Sequence, residues 1–289
     1  MLCARATVKL ARRLGLELWR SCRTYGPMRY HILLLAALAL AIAGPARATP
    51  WTATYEFHAA GLRALEAEFT FDVDGPQYRL EVQSRSRGLL NLFARNEQTT
   101  TVSGRWEGDT PRPERYRVRG SFRGQSRIVE MDFAPDGMPR LGALEPSNAA
   151  DMREEIPREN LAGTIDALSA VAQLSRIVAR TERCEADARM YDARRLTRVH
   201  ARTIGTEAVP ADWREGLRGM ALRCEVESVL LAGWRTDQDI ERARQPVVTT
   251  VWIARPVAEA PPVPLRLELA TRWWGRLHGV LTKIERAAP

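Results

Sequence analysis

The residues of this chain that could carry catalytic chemistry are few and scattered. Three histidines lie beyond the first fifty residues, His58, His200 and His278, and none stands in an H-E-x-x-H or H-x-H arrangement, so the spacing that puts two imidazoles on one metal is missing. No G-x-S-x-G elbow occurs, and Gly120-Ser121-Phe122-Arg123-Gly124 falls between two strand-like segments, where a turn accounts for its glycines. Glu66 and Glu68 share one face of a strand, as a glycosidase carboxylate pair would, but their alternation with apolar residues reads as a solvated outer face. Phosphate-binding glycine loops, dinucleotide fingerprints and EF-hand loops are also absent. These residues point away from an enzyme, a metal and a cofactor. A hydrolase whose Ser, His and Asp meet only in the fold stays open as a third reading.

Binding chemistry is better represented. Arginines recur at alternate positions, Arg79, Arg85 and Arg87 and then Arg115, Arg117, Arg119 and Arg123, so they share strand faces. Guanidinium forks grip phosphate or carboxylate bidentately, which makes Arg115, Arg117 and Arg119 a candidate anion site. A GC-rich coding bias also yields arginine, Lys283 being the lone lysine after residue 48, and Glu81 and Glu130 are available as internal partners. Aromatic residues mark the other candidate. Phe69, Phe71, Tyr78, Trp106 and Trp252, with Trp51, Tyr55, Phe57 and Trp273, fall mostly on the inward phase of their strands. They form either a packed core or, if the sheet curls incompletely, an apolar trough suited to acyl chains, roofed by a helix that brings Leu168.

Those positions need β elements. In Ala64 to Val73, Leu65, Ala67, Phe69, Phe71 and Val73 alternate with Glu66, Glu68, Thr70 and Asp72, and Tyr78, Leu80 and Val82 continue the pattern across an Asp74-Gly75-Pro76 turn. Further strands are expected at 51–58, 96–106, 115–122, 126–133, 189–204, 222–231, 247–254, 265–272 and 279–284. The expected fold is mainly β: a curved antiparallel sheet forming an open or half barrel. One segment departs from period two. Thr164 to Arg180 places Ile165, Leu168, Val171, Ala172, Leu174, Ile177 and Val178 at helical spacing behind a candidate cap at Thr164, so one amphipathic helix packs on or in the sheet. Met138 to Gly163, with Pro139, Pro146 and Pro157, reads as a long mobile loop between two blocks of strands.

Charge distribution changes the meaning of the composition. The 289 residues carry a formal charge of +8, but residues 1–48 hold eight basic residues against Glu17, so +7 sits there and about +1 remains for 49–289. The same stretch contains Ile32 to Ala43, an apolar run preceded by Arg29 and followed by Ala46-Arg47-Ala48. A basic region, a run of about a dozen apolar residues and a small-x-small exit describe a signal peptide cleaved after Ala48, with Met28 as an alternative start. The run is shorter than the about 20 residues a spanning helix needs, so no transmembrane segment follows cleavage. The expected organisation is signal peptide 1–48 and a single domain 49–289 in the periplasm, without affinity for nucleic acid. Of four cysteines, Cys3 and Cys22 leave with the signal, and Cys184 and Cys224 are expected to pair in an oxidising compartment, two buried thiols being the alternative.

The order of short patterns resembles the DUF3108 family of secreted proteins of Gram-negative bacteria. The likeness is carried by the Tyr55 strand with Gly61, Gly88-Leu89-Leu90, Pro113 to Tyr116, Asp166-Ala167-Leu168-Ser169, Cys184, Tyr191-Asp192-Ala193-Arg194-Arg195, Cys224 and Val251-Trp252-Ile253. It covers nearly all of 49–289. In that family a glycine commonly follows the aspartate of the Tyr-Asp segment; Ala193 stands there, which weakens the argument for a tight turn. The resemblance implies a β-rich fold and an extracytoplasmic compartment, and no activity. The expected function is a non-enzymatic protein that binds or chaperones a hydrophobic or amphipathic envelope component such as a lipid. The alternative is an envelope assembly factor with a packed core and an envelope protein as partner.

Overall fold

The computed structural model describes residues 49–88, 91, 95–212, 215–270 and 275–287. The expected signal peptide, Leu89-Leu90 and Trp273 lie outside the described residues. Thirteen strands make one antiparallel sheet: β1 (Trp51–Ala59), β2 (Leu62–Asp72), β3 (Gln77–Ser86), β4 (Asn96–Glu107), β5 (Thr110–Phe122), β6 (Gln125–Phe133), β7 (Pro139–Glu145), β8 (Ala186–Tyr191), β9 (Leu196–Ala208), β10 (Met220–Ala232), β11 (Val247–Ala254), β12 (Val263–Ala270) and β13 (Arg276–Arg286). Two α-helices of the described residues accompany it, α1 (Ala167–Thr181) and α2 (Ile240–Arg244). No described helix is long and apolar enough to cross a membrane.

The spatial order is β7-β6-β5-β4-β3-β2-β1-β13-β12-β11-β10-β9-β8. Every neighbouring pair is consecutive in sequence except β1 and β13, where Trp51 faces Arg286 and Ala59 faces Leu277. Two meandering arms, β1–β7 and β8–β13, therefore join along the first and last strands, and the sheet stays open between β7 and β8. Shifts of register between Thr54 and Tyr55, and again between Phe57 and His58, add local twist to β1, the bend a sheet of this width needs. The period-two pattern does what it promises. Trp51, Ala53, Tyr55, Phe71, Leu80, Val102, Tyr116, Val118 and Met131 are buried on one face, with α1 against it.

Three expectations are corrected in detail. The segment 138–163 is not one loop. It contains β7, which pairs with β6 from Phe133–Pro139 to Ile128–Glu145, and a 3-10 turn at Arg158–Leu161, because alternation in Pro139-Arg140-Leu141 is too short to be seen against three prolines. The stretch 189–204 is two strands, β8 and β9, folded back at Asp192–Arg195. Ala193 takes the left-handed conformation with φ 71, and Asp192 Oδ1 accepts from the backbone N–H groups of Arg194 and Arg195, 3.0 and 2.7 Å. A tight turn therefore forms without glycine, the Asx hydrogen bonds supplying what the backbone lacks. Finally, α1 is capped by Asp166, whose side chain accepts from Ser169 N–H, while the Thr164 hydroxyl is buried and donates to the Leu161 carbonyl.

Candidate functional site: an apolar cavity between the arms

The helix decides what the concave face can hold. Its sides pack on β4 and β5 of one arm and on β8 of the other, so α1 bridges the open sheet. Both ends are anchored. At the N-terminus, Ser169 Oγ lies 2.7 Å from the Tyr78 hydroxyl and donates to Asp166 Oδ2 at 2.5 Å, and all three side chains are buried. Burial raises the Asp166 carboxyl above its ordinary value and does the same to the Tyr78 hydroxyl. Midway, Ser175 Oγ donates to the Pro262 carbonyl at 2.6 Å, and Arg176 and Arg180 reach Asp109 in the β4–β5 turn. Beyond the C-terminus, Cys184 is bonded to Cys224 of β10, with a Cα–Cα distance of 6.1 Å.

Because the helix lies across the arms, it does not fill the space between them. A cavity of about 420 Å³ remains, walled by β1–β3 on one side and β8–β12 on the other and covered by the Ala167–Ser175 face of α1. Tyr55, Phe57, Phe69 and Phe71 supply its aromatic wall; Tyr55 and Phe69 meet edge to face with centroids 5.2 Å apart. Val226, Val251, Ile253, Leu267 and Leu269 supply the aliphatic wall opposite, and Asp187 is the one charged residue among the described lining. Room for Phe57 and Leu267 comes from Gly279 of β13, where any Cβ would stand 2.7 Å from each of those side chains.

Of the six residues expected to line a ligand site, Phe69 and Phe71 line this cavity. Tyr78, Trp106 and Leu168 form the packing beneath the helix start, with the Tyr78 and Trp106 rings tilted at 45° and their centroids 4.8 Å apart, and Arg176 over the Trp106 ring at 4.5 Å. Trp252 takes the opposite phase to Val251 and Ile253. It is buried on the outer face between the guanidinium groups of Arg223 and Arg266, and its Nε1 donates to Glu207 Oε1 at 2.9 Å. Aromatic identity misled there. The strand phase of 247–254, which sends Val251 and Ile253 inward, was the usable signal.

The arginine ladder is engaged by two acids of β6. Arg119 reaches Glu130 at 2.7 Å, Arg117 reaches Asp132 at 2.6 Å, and Arg115 stands 3.9 Å from the same Asp132. Likewise Arg63, Arg85 and Arg87 surround Glu66, whose carboxyl is held down to about 2, first by its hydrogen bond from Arg87. Glu66 is thus an ion-pair hub on the outer face, and Glu68 shares no chemistry with it. His200 pairs with Asp187 at 2.9 Å, while His58 and His278 sit with Glu56 and Glu268 on the outer wall. Among the described residues, no group of His, Cys, Asp and Glu is placed to hold a metal ion.

A solved structure described as a beta-barrel-like protein of domain of unknown function DUF1849, from Brucella abortus, is similar at 13% identity and a TM-score of 0.49, over 84% of this chain and 100% of that one. No curated protein matches the chain. A family model described as "Protein of unknown function (DUF3108)" matches residues 54–279, and the chain belongs to that family.

Proposed function

We propose that the protein is a non-enzymatic carrier or binding protein of the cell envelope, and that the cavity under α1 takes the apolar part of a hydrophobic or amphipathic ligand such as an acyl chain. The observation that carries this reading is a space of about 420 Å³ between two apolar walls with one charged residue on its described lining. Pockets that take small ligands run from roughly 300 to 1,000 Å³, and apolar cavities of about 150 Å³ already stay dry and accept a hydrocarbon guest. Each methylene moved from water into such a space gains about 0.8 kcal/mol.

The same cavity favours a ligand carrier over an assembly factor with a filled core. Against a hydrolase stands the nearest Ser–acid contact, Ser169 with Asp166, which is buried at a helix cap and includes no histidine. Export to the periplasm is supported by the apolar run at 32–43 and by the Cys184–Cys224 bond.

Native mass spectrometry and lipid extraction of the purified protein test the proposal, together with titration of a fluorescent fatty-acid probe. We expect a co-purifying apolar ligand, probe binding that saturates, and loss of binding in Ala201→Trp, which fills the cavity from β9. Protein that is ligand-free and indifferent to the probe overturns it.

A further inference from the structure

Unmatched positive charge collects at the seam between β7 and the β8–β9 hairpin, away from the ladder of Arg115, Arg117 and Arg119. Asp151, in the segment after β7, sits among Arg153 at 2.7 Å, Arg194 at 3.7 Å and Arg235 at 3.6 Å. The side chains of Asp151, Arg153 and Arg194 are only 13%, 14% and 11% exposed. Arg127 of β6 adds its field to both Asp151 and Arg194 and, among the described residues, makes no ion pair. Nearby carboxylates are already engaged, Asp237 with Arg235 at 2.8 Å and Asp192 with Arg195 at 2.7 Å. Four arginines, Arg127, Arg153, Arg194 and Arg235, thus share two carboxylates, Asp151 and Asp237.

Part of the cluster is structural. Arg194 Nη2 donates to the Glu145 carbonyl and Arg153 Nη1 to the Gly233 carbonyl, both at 2.9 Å, which ties the end of β7 to the hairpin and to the segment after β10. Two donors are left over. Arg194 Nη1 is buried and makes no hydrogen bond, and Gln238 Nε2, three residues beyond Arg235, is in the same condition. A buried donor without an acceptor is costly, more so when charged, so an acceptor is strongly favoured there. Burial lowers the Arg194 guanidinium below its ordinary value, and Arg127 and Arg153 push the same way.

We propose that this seam binds an oxyanion of the phosphate class, held by Arg127, Arg194 and Arg235 on the side of the cluster left open by Asp151. A tetrahedral anion offers several acceptor oxygens at once, and guanidinium forks match them in pairs. The bound anion would join β6 of one arm to the β8–β9 turn and the segment after β10 of the other. The phosphate group has two sources, free phosphate and a phospholipid headgroup. The site is separate from the cavity and does not depend on its ligand.

The test is calorimetric titration of the purified protein with inorganic phosphate at constant ionic strength, in parallel with dihexanoyl phosphatidic acid below its micelle concentration. Saturable phosphate binding is expected, with a rise in Tm of about 5 °C or more at hundredfold excess over Kd. Arg127→Gln and Arg235→Gln should each weaken it tenfold or more, and Arg119→Gln, in the paired ladder, should not. A tighter fit for the lipid that survives in Ala201→Trp identifies a headgroup; equal affinity identifies the free anion. Absence of saturable binding by both ligands, or binding undiminished by Arg127→Gln together with Arg235→Gln, overturns the proposal.

Discussion

Removing the Cys184–Cys224 crosslink should be among the most damaging two-residue changes in this domain. The bond joins residues 40 apart in sequence. In the chain-entropy treatment, closing a loop of that length removes about 13 cal/mol/K from the unfolded ensemble, or about 4 kcal/mol at 25 °C. Both cysteines are fully buried beside Val178, Val251 and Ile253, so substituting both with alanine leaves small voids that add about 1 kcal/mol. For a domain of this size each kcal/mol moves Tm by roughly 2–4 °C, which puts the expected fall at about 10–20 °C. Circular-dichroism melts of Cys184→Ala/Cys224→Ala against the parent measure it. Since Val251, Ile253 and Leu174 belong both to this cluster and to the cavity wall, affinity for an apolar probe should fall as well. A Tm within about 3 °C of the parent refutes the reasoning, as does the appearance of two reactive thiols in the denatured, unreduced protein.

Four smaller perturbations probe the supports of the site and of the sheet. Asp166→Ala removes a helix cap and one of the two partners of the buried Ser169 hydroxyl, and should cost about 2–3 kcal/mol in urea unfolding, with Asp166→Asn recovering part of it. Glu66 has its carboxyl depressed from 4.5 to about 2, so its stabilisation is complete above pH 4.5 and is lost as pH falls toward 2; Glu66→Gln should flatten that limb of a stability-versus-pH curve. Ala193→Gly relieves a left-handed residue and should raise stability by about 1 kcal/mol in urea unfolding, whereas Gly279→Ala should push Phe57 and Leu267 into the cavity and reduce probe binding.

Much of the fold was legible because a half-buried antiparallel sheet writes its faces into alternate residues, as Leu65 to Val73 does. The helix was legible from period, and its cap was not, since Thr164 and Asp166 are both good capping residues and only the backbone decides between them. Strand β7 stayed hidden because seven residues with a leading proline carry too little alternation. For the site, sequence supplied Phe69 and Phe71 but overvalued Trp252, whose size suggested the interior while its phase placed it outside. The basic seam escaped altogether. Arg127, Arg153, Arg194 and Arg235 are far apart along the chain, and each looks like an ordinary surface arginine until the topology brings the edges together.

The pairing of β1 with β13 also governs how the chain reaches this state. Within each arm, successive strands need only short turns, so β1–β7 and β8–β13 form from local hairpins whose loop closure is inexpensive in entropy. The Trp51–Arg286 register spans almost the whole domain, and its contacts cannot exist until the last strand has been made and delivered. Until then the backbone N–H and C=O groups along the β13-facing edge of β1 stay unpaired. A chain of this design needs protection at that edge between synthesis and completion, and mutations in β13 should slow folding more than they speed unfolding.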